Sequence, residues 1–368
     1  MRWPLALVCG FSAIFYLLTR SLLRRWLRDQ PDAGGESFPP ITFFRPIKSG
    51  EPGAMDGLAM FLRGVRPGDQ VLVGVSTSAD AEQARSLRKI FEDIEILVCT
   101  PGLHPNPKIN KLAQLEPLAR NDLWISLDSD TRLDGPCLNR LRNEWETAGT
   151  EALTAPYFFV ETETLPARLD AAGTALGLWP GVAILRAVGP LTTLFGACLG
   201  VRATTLRGLG GWAAVANELA EDHALGHAVT TSGGRVHLAS TAIPIRAGRV
   251  QAREWIAHQH RAFGTYHQCD PAGALGLPLT FGAAFSFLAF LIRPSRRTLG
   301  WHVLLVGLRV RLADALPGGP RHRPVTVWLA SLVEPFFWLL GRLPMDVHWA
   351  GWRVGRKKIA PCPRGEKG

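Results

Sequence analysis

Two carboxylates stand two positions apart at the end of an apolar segment, in the run Leu123–Asp130. The five residues LWISL that open this run are typical of a short buried strand that ends at the edge of a sheet. Carboxylate oxygens are the ligands that Mg²⁺ and Mn²⁺ prefer, and such an ion neutralises a diphosphate leaving group. We therefore predict that Asp128 and Asp130 bind a divalent cation, Mg²⁺ or Mn²⁺, and that Asp128 binds the diphosphate of a nucleotide sugar. The alternative is a solvated turn after a strand.

A second acidic pair, Glu221 and Asp222, lies in a segment with a helical pattern. A carboxylate beside a reacting hydroxyl can remove its proton, so Asp222 is a candidate general base. Acidic side chains also complement the positive end of a helix dipole. Ordinary charge at the start of a helix is therefore the alternative for this pair.

Basic side chains are concentrated in a third segment, which contains His258 and Arg261. Arginine binds phosphate oxygens through two parallel hydrogen bonds, which favours a cationic patch that faces a diphosphate. An amphipathic helix at a membrane surface is compatible with the same residues. A zinc site made of His258, His260, His267 and Cys269 is a further alternative, although their spacing matches no closed zinc site.

Two lysines complete the candidate contacts to a nucleotide sugar. Lys48 follows the first predicted strand, where a nucleotide base and ribose rest on a parallel sheet. Lys108 opens a predicted helix next to Pro107, and its ammonium can approach a diphosphate from that N-terminus. For each lysine the alternative is a solvated charge.

These candidates need a scaffold, and residues 41 to 127 alternate between short apolar runs and helical patterns. The predicted strands are Ile41–Phe44, Gln70–Val75, Ile94–Val98 and Leu123–Leu127, and a further one is Arg235–Ala239. The predicted helices lie near Met55–Arg63, Asp80–Phe91, Lys108–Leu118 and Asn217–Thr231. Strands that alternate with helices at this spacing predict an α/β fold with a parallel sheet, whose ligands bind at the carboxyl ends of the strands.

Composition narrows the class of protein. The 368 residues are 47% hydrophobic and only 20% charged, with 12 Trp and a formal net charge of +10. This excludes long disorder and favours a membrane-attached protein over a soluble nucleic-acid binder, so no nucleic-acid partner is expected. The six cysteines are scattered without a CxxC pair, which excludes a disulfide scaffold and a zinc ribbon and predicts a reducing compartment.

The N-terminal segment predicts a membrane anchor. Trp3–Thr19 carries no charge, and four arginines follow it at positions 20, 24, 25 and 28. A cleaved signal peptide has its positive charges before the apolar stretch, whereas here they come after it. Positive charge on this side keeps the following domain in the cytoplasm. A buried helix of a soluble domain is the alternative.

The last third of the chain is apolar but interrupted. Pro271–Ile292 has 22 residues without a charge, enough to cross a bilayer, whereas the segments 298–316 and 324–341 contain charged residues. Those two segments can lie in the interface or pack inside a small bundle. If Pro271–Ile292 crosses fully, the arginines of residues 293–297 emerge on the wrong side of the membrane, and a re-entrant hairpin removes that conflict.

Several blocks, taken in order from about Pro40 to Arg356, resemble the ceramide glucosyltransferase family, a membrane branch of the inverting GT-A glycosyltransferases that includes bacterial ceramide and hopanoid enzymes. The blocks are RPIKSGEP, NPKINKL, NDLWISLDSDTRL, FGACLGVR, GLGGW, LAEDHALGHAV and HWAGWRVGR. The resemblance implies a GT-A domain, similar to a Rossmann fold, with N-terminal and C-terminal membrane helices. It also implies hexose transfer, with glucose as the expected sugar, from a UDP-sugar to a hydroxyl of a membrane lipid, ceramide first. A hopanoid or other lipid acceptor, or an inactive membrane scaffold, are the alternatives.

By the same resemblance, Asp222 is the catalytic base, Asp128 with Asp130 lies at the metal and diphosphate, and Arg261 is the arginine of a (Q/R)xxRW motif. The chain departs from that motif at His258 and at Ala262, where the family has tryptophan. A second departure is Thr77, in the region where the family has an early aspartate that contacts the nucleotide. The nearest carboxylate is Asp80.

We predict a multi-pass protein of a bacterial inner membrane with a cytoplasmic catalytic domain. The parts are the anchor (1–28), a linker (29–40), the GT-A domain (41–268), membrane or interfacial helices (269–345) and a basic tail (346–368).

Overall fold

The computed structural model describes residues 3–28, 38–316 and 319–343, together with the backbone of the short strands at 347–349 and 352–354. Most of the predicted linker (29–37) and the end of the predicted basic tail (355–368) lie outside the described residues. The side chains of the block HWAGWRVGR also lie outside them. The predicted domain boundaries therefore stay predictions.

Helices and strands alternate through the first two thirds of the chain, and helices make up most of the rest. The helices are α1 (Trp3–Trp26), α2 (Ala54–Leu62), α3 (Ser78–Arg85), α4 (Pro107–Leu115), α5 (Gly135–Ala148), α6 (Leu165–Gly173), α7 (Trp179–Val188), α8 (Ala203–Gly208), α9 (Glu221–Thr231), α10 (Ala252–Cys269), α11 (Pro271–Gly276), α12 (Gly282–Ile292), α13 (Arg296–Ala313) and α14 (Pro324–Leu340). The strands are β1 (Ile41–Pro46), β2 (Gln70–Val75), β3 (Ile94–Val98), β4 (Leu123–Leu127), β5 (Ala152–Thr154), β6 (Tyr157–Thr162), β7 (Cys198–Arg202), β8 (Val236–Leu238), β9 (Ile243–Gly248), β10 (Val347–Trp349) and β11 (Trp352–Val354).

Among the described residues, seven strands form one sheet in the order β3-β2-β1-β4-β7-β5-β8. Strands β1 to β4 are parallel, while β7 runs antiparallel to both of its neighbours. A second sheet pairs β6 with β9 in parallel. The predicted α/β fold with a parallel sheet is thus confirmed, and β2, β3 and β4 have the predicted bounds.

Helices cover both faces of the main sheet, which is why its central strands are continuous apolar runs. On one face Phe43 packs edge-on against Phe61 of α2, with ring centroids 5.0 Å apart. On the other face Phe44 contacts Trp124 at 5.4 Å and Trp212 at 5.9 Å. Each residue of β1, β2 and β4 is buried. The loops at the carboxyl ends of these strands therefore project from a rigid base.

Two details differ from the sequence-based prediction. The helix expected from Asn217 begins at Glu221, because residues 212–215 form a separate 3₁₀ turn, and this places the acidic pair in its first turn. Strands β5, β6, β7 and β9 were not predicted. Strand β5 has only three residues, and β7 contains Gly200 and ends at Arg202, so neither has a strong local strand pattern.

Helix α1 has two different faces. Cys9, Tyr16 and Leu23 are buried in an apolar cluster shared with α6, α7, α13 and α14, whereas Leu7 and Ile14 are 70% and 66% exposed. Residues 4–26 are long and apolar enough to cross a membrane. One face of the predicted anchor therefore docks on the rest of the protein, and the other face is suited to lipid.

The 22-residue uncharged run is a bent pair of helical pieces. Residues 271–280 and 282–292 meet at an angle of 43°, so the run is either a broken span or a re-entrant loop. Helix α1 satisfies backbone groups that the break releases. The Ser12 hydroxyl accepts a hydrogen bond from the N–H of Gly282 (3.0 Å) and donates to the carbonyl of Leu279 (2.7 Å). The Tyr16 hydroxyl donates to the carbonyl of Thr280. Such pairing is required where no water is available.

The charges in the last two apolar segments pair inside a bundle. The Arg309 guanidinium of α13 lies 2.7 Å from the Glu334 carboxylate of α14, and both side chains are largely buried. Arg309 also donates to the Tyr16 hydroxyl at 3.3 Å. Of the two arrangements left open by the sequence, the structure therefore shows packing within a small bundle for this pair of charges.

A second long apolar helix, which the sequence analysis missed, covers residues 165–188. Its length and composition would allow it to cross a membrane. Its two ends, however, continue into β6 and β7, and residues 155–156 join β6 to β5, the hydrogen-bonded neighbour of β7. A full crossing would separate these strands. We therefore expect both ends of this helix to lie on the side of the main sheet, and the helix packs against α1.

Candidate active site

Lys108 lies at the centre of a cluster of charged residues. Its ammonium is 2.7 Å from Asp128 Oδ1 and 3.5 Å from Glu221 Oε1, and it donates to the carbonyl of Gly196 at 2.8 Å. The local sequence explains its position, because Asn106 caps α4, Pro107 is the first helical residue and Lys108 follows. The side chain thus reaches from the start of α4 to the end of β4 and the start of α9.

Asp222 is held in the same cluster by the backbone. Its Oδ2 accepts a hydrogen bond from the N–H of Gly196 (2.8 Å), and its Oδ1 accepts one from the N–H of His223 (2.8 Å). A Cβ at position 196 would lie 3.4 Å from both Asp222 Oδ2 and Lys108 Nζ, and 3.8 Å from Asp128 Oδ2. The backbone of Gly196 therefore joins Lys108 to Asp222, because its C=O accepts from Lys108 and its N–H donates to Asp222.

Burial and charge act in opposite directions on this cluster. Burial raises the pKa of the Asp222 carboxyl, and the neighbouring Lys108 ammonium lowers it, with a net increase. For Lys108, burial lowers the pKa, but Asp128 and Glu221 more than offset this, so the pKa of the ammonium is raised. Lys108 is therefore a permanent cation, whereas Asp222 is a stronger base than a solvated aspartate.

Asp130 has an unused oxygen. Its Oδ1 is buried and has no hydrogen-bond partner within the part of the chain that the structure describes. Burial, together with the charges of Asp128 and Glu51, raises the pKa of Asp130 to about 7. Glu51 lies close by and accepts a hydrogen bond from the Ser129 hydroxyl. Three carboxylates therefore gather at the carboxyl end of β4.

A buried arginine that the sequence analysis did not select faces these carboxylates. Arg45, in β1, is fully buried and donates from Nη1 to Thr131 Oγ1 at 2.6 Å. Its Nε and Nη2 have no hydrogen-bond partner among the described residues. Burial lowers the pKa of Arg45 to about 10, against the opposing effect of Asp130 and Asp128. In the segment RPIKSGEP, Lys48 is the predicted site residue. No local sequence pattern indicates that Arg45 of the same segment points inward.

A cleft of about 920 Å³ opens beside these carboxylates. Its lining includes four of the predicted site residues, namely Lys48, Asp130, His258 and Arg261. Lys48 follows β1, whereas His258 and Arg261 come from α10. The structure therefore divides the predicted residues into two adjoining groups: the buried cluster around Lys108, and the walls of this cleft.

Helix α10 is held against the cleft by a carboxylate that the sequence analysis did not select. Asp170 of α6 accepts a hydrogen bond from Gln259 Nε2 at 2.7 Å and lies 3.4 Å from His258 Nδ1. Burial lowers the pKa of Arg261, and the charge of Glu221 opposes this effect. Arg261 lines the cleft together with His258 of the same helix.

The zinc alternative is not supported. No group of three His, Cys, Asp or Glu that could hold a metal ion occurs in the described ranges. His267 instead bonds through Nε2 to the carbonyl of Trp338 at 2.9 Å. The imidazole is thus used for packing between α10 and α14.

The residues at the end of β4 do fit a cation that also contacts a ligand. Mg²⁺ and Mn²⁺ are commonly bound by one or two carboxylates, with substrate phosphates and water as the other ligands. Asp130 offers a buried oxygen without a partner among the described residues, and Asp128 contacts Lys108 through its Oδ1. The donor set is therefore suitable for a hard cation bound together with a diphosphate.

Thr77, in the region where the resembling family has an acidic residue, serves a structural purpose. Its hydroxyl accepts a hydrogen bond from the N–H of Asp80 (3.1 Å) and so caps α3. The same hydroxyl donates to Asp80 Oδ2 at 2.7 Å. Asp80, the nearest carboxylate, is therefore hydrogen-bonded to the N-cap residue of its own helix.

The sheet order, the carboxylates at the end of β4 and the cation beside them define a GT-A-like glycosyltransferase fold. The mannosyltransferase PcManGT from Pyrobaculum calidifontis, solved in complex with GDP-Man and Mn²⁺, is similar in structure, with a TM-score of 0.50. The two chains are 15% identical, and the match covers 92% of this chain and 97% of the other. At this identity the likeness shows the fold alone.

The chain belongs to glycosyl transferase family 21, whose model matches residues 5–358. This confirms the predicted family, and glycosyltransferase is the enzyme class of that family. A curated relative, the ceramide glucosyltransferase of Gibberella zeae, is 26% identical over 140 residues. That match covers 34% of this chain and 26% of the relative, so it spans about a quarter of the relative's length.

Proposed function

We propose that this protein transfers a hexose, glucose in the first instance, from a UDP-sugar to the hydroxyl of a membrane lipid, ceramide in the first instance, with inversion at the anomeric carbon. The observation that carries this proposal is the meeting of Lys108, Asp128 and Asp222 around the Gly196 peptide, beside a cleft of 920 Å³. The name of the matching curated relative supports the sugar and the acceptor.

In the proposed reaction Asp222 accepts the proton of the lipid hydroxyl. The hydroxyl oxygen then forms a bond to C1 of the sugar from the face opposite the diphosphate. The bond between C1 and the diphosphate oxygen breaks, and its electron pair leaves with the nucleotide. The burial that raises the pKa of Asp222 makes its carboxylate more basic, and its two backbone hydrogen bonds hold it in position.

Negative charge develops on the departing diphosphate, and fixed cations face it. Lys108 is buried and stays protonated, so it needs no reorganisation during the reaction. Lys48 and Arg261 line the cleft and supply further donors to phosphate oxygens. Asp128 and Asp130 would hold a divalent cation, Mg²⁺ or Mn²⁺, which adds charge neutralisation at the same phosphates when bound. The Mn²⁺ bound by the mannosyltransferase supports this assignment.

The protein is proposed to act as a multi-pass protein at the cytoplasmic face of a bacterial inner membrane. The residues that support this topology are the apolar helix α1, the arginines that follow it, and the apolar bundle of α12, α13 and α14. Helix α10, whose His258 and Arg261 line the cleft, leads directly into that bundle. We therefore expect the lipid hydroxyl to approach Asp222 from the membrane side.

The decisive experiment uses membranes that contain the full chain, radiolabelled donors, and ceramide or a hopanoid polyol as acceptor. The donor panel includes UDP-glucose, UDP-galactose and GDP-mannose, because Thr77 leaves the nucleotide pocket without the family's early acid. Label in the organic phase is counted for the wild type and for Asp222→Asn. Ser232→Ala is the control, because Ser232 caps the C-terminal end of α9 and its hydroxyl donates to the carbonyl of Val229.

We expect label with UDP-glucose and ceramide for the wild type and for Ser232→Ala, and none for Asp222→Asn. Retained binding of the UDP-sugar by Asp222→Asn, measured by thermal stabilisation, separates lost chemistry from lost folding. Label in Asp222→Asn would exclude this residue as the base. Label only with the hopanoid would change the acceptor, and failure of every donor to bind would favour a membrane scaffold.

A further inference from the structure

A second cavity lies away from the catalytic cleft, where α1 and α7 both end. Its volume is about 660 Å³, and none of its lining residues also lines the cleft. Helix α1 contributes Leu22, Arg25 and Trp26, and α7 contributes Arg186. Helix α5 and the segment after β8 form the remaining walls.

Two exposed arginines, Arg25 and Arg186, line this cavity. Neither forms an ion pair or a hydrogen bond with any described residue. The Arg186 guanidinium lies over the Trp26 ring, 5.7 Å from its centroid. The carboxylate in the lining, Glu144, is already occupied, because it accepts hydrogen bonds from the backbone of Ser240 and from the backbone and hydroxyl of Thr241. The cavity therefore presents two guanidinium groups whose charge is not neutralised.

The place of the cavity along α1 indicates what it binds. The uncharged part of α1 ends just before the run of arginines, so Arg25 lies at the depth of lipid headgroups on the side of the catalytic domain. Beside Arg186, the last turn of α7 leaves Leu185 and Val188 exposed. Trp26 lies at the same level, and its indole Nε1 has no hydrogen-bond partner in the described ranges. An apolar surface next to unpaired cations matches a lipid with an anionic head.

We propose that this cavity binds the phosphate headgroup of an anionic phospholipid, with Arg25 and Arg186 as the phosphate ligands. Two guanidinium groups can each donate two hydrogen bonds to phosphate oxygens. The acyl chains then extend along Leu22 and the exposed end of α7. This lipid is distinct from the glycosyl acceptor, and its binding fixes the catalytic domain against the membrane surface.

The test uses the full chain in nanodiscs of phosphatidylcholine, with and without phosphatidylglycerol. Melting temperature and the number of phosphatidylglycerol molecules retained in native mass spectrometry are measured for three proteins. They are the wild type, the double variant Arg25→Gln/Arg186→Gln and the double variant Arg24→Gln/Arg28→Gln. The last of these removes the same charge from two other exposed arginines, near the end of α1, that do not line the cavity. Similar melting temperatures in phosphatidylcholine show that all three fold.

We expect phosphatidylglycerol to stabilise the wild type and the Arg24/Arg28 variant, and to be retained by both. Retention by the Arg25/Arg186 variant should fall by about fivefold for each arginine removed. Equal losses in the two double variants would overturn the proposal in favour of diffuse surface attraction. Inorganic phosphate that stabilises the wild type equally in phosphatidylcholine discs would overturn it in favour of a free anion.

Discussion

The membrane bundle and the catalytic cluster both bury charged side chains, but they balance them differently. In the bundle, Arg309 has one carboxylate partner, Glu334, and also donates to the Tyr16 hydroxyl. One positive charge is thus balanced by one negative charge, although Arg309 Nε has no partner among the described residues. In the cluster, the ammonium of Lys108 meets two carboxylates and lies near a third, while the Oδ1 of Asp130 has no partner in the described part of the chain. Removal of one partner from a balanced pair leaves a buried charge and destabilises the fold, whereas an excess of carboxylates is available to a ligand.

The largest expected effect is a loss of stability when the buried pair of Arg309 and Glu334 is broken. Arg309→Leu leaves the Glu334 carboxylate buried without a cation, and we expect the free energy of unfolding to fall by about 3 to 5 kcal/mol. Thermal unfolding in detergent or nanodiscs measures this loss. The double variant Arg309→Leu/Glu334→Leu should regain much of it, because no charge then remains buried. A double variant as unstable as the single one would show that packing, not charge, holds the bundle together.

Removal of one charge from the catalytic cluster should lower activity without lowering stability. Asp128→Asn removes one of several carboxylates, and Lys108 keeps Glu221 as its partner. We expect hexosyl transfer to fall roughly a hundredfold, the scale of losing one electrostatic contact to a transition state. The melting temperature should stay unchanged or rise. If Asp128→Asn unfolds the protein as Arg309→Leu does, the proposed contrast between the two regions is wrong.

Removal of the cation in the cluster should change the pH dependence of the reaction. The base Asp222 works unprotonated, so activity is present above its pKa and is lost as the pH falls through it. Lys108 lowers this pKa. In Lys108→Gln the pKa is higher, and the acidic limb of the residual activity should begin at a higher pH. Lys108→Arg keeps the charge and should keep the limb near its original position. An acidic limb that stays in place in Lys108→Gln would remove Asp222 from the role of base.

The smallest expected effect concerns the break before α12. Ser12→Ala leaves the N–H of Gly282 and the carbonyl of Leu279 without their partner, at a cost of about 1 to 3 kcal/mol. Ser331→Ala is the matched control, because its hydroxyl bonds to the Val327 carbonyl of its own helix. Thermal unfolding should distinguish the two variants. Equal losses of stability in the two variants would mean that the hydrogen bonds of Ser12 to the backbone at the break do not stabilise the protein.

Strands with a clear short-range sequence pattern could be predicted from the sequence. Strands β2, β3 and β4 have the predicted bounds, because β2 and β4 are buried runs covered on both faces and β3 is a short run rich in β-branched residues. The acidic pairs at 128–130 and 221–222 could be selected because residue type and a position at the end of an element are both visible in the sequence. Their catalytic and metal-binding roles stay proposals.

Other residues of the site could not be selected in advance. Gly196 lies between Lys108 and Asp222 only because β7 returns antiparallel beside β4. Asp170 belongs to an apolar helix and looks like an isolated charge until α10 packs against it. Their positions depend on contacts between segments that are tens of residues apart, and local periodicity carries no information on such contacts.

The sequence by itself therefore determined the α/β class, the apolar segments, the family and the chemical groups available for catalysis, because these follow from composition, short-range periodicity and motif order. The tertiary structure decided which groups meet. It joined Lys108 to Asp128 and Glu221, paired Arg309 with Glu334, and used α1 to satisfy the break before α12. Burial and Coulomb interactions act through space and not along the chain, so their outcome depends on the folded arrangement.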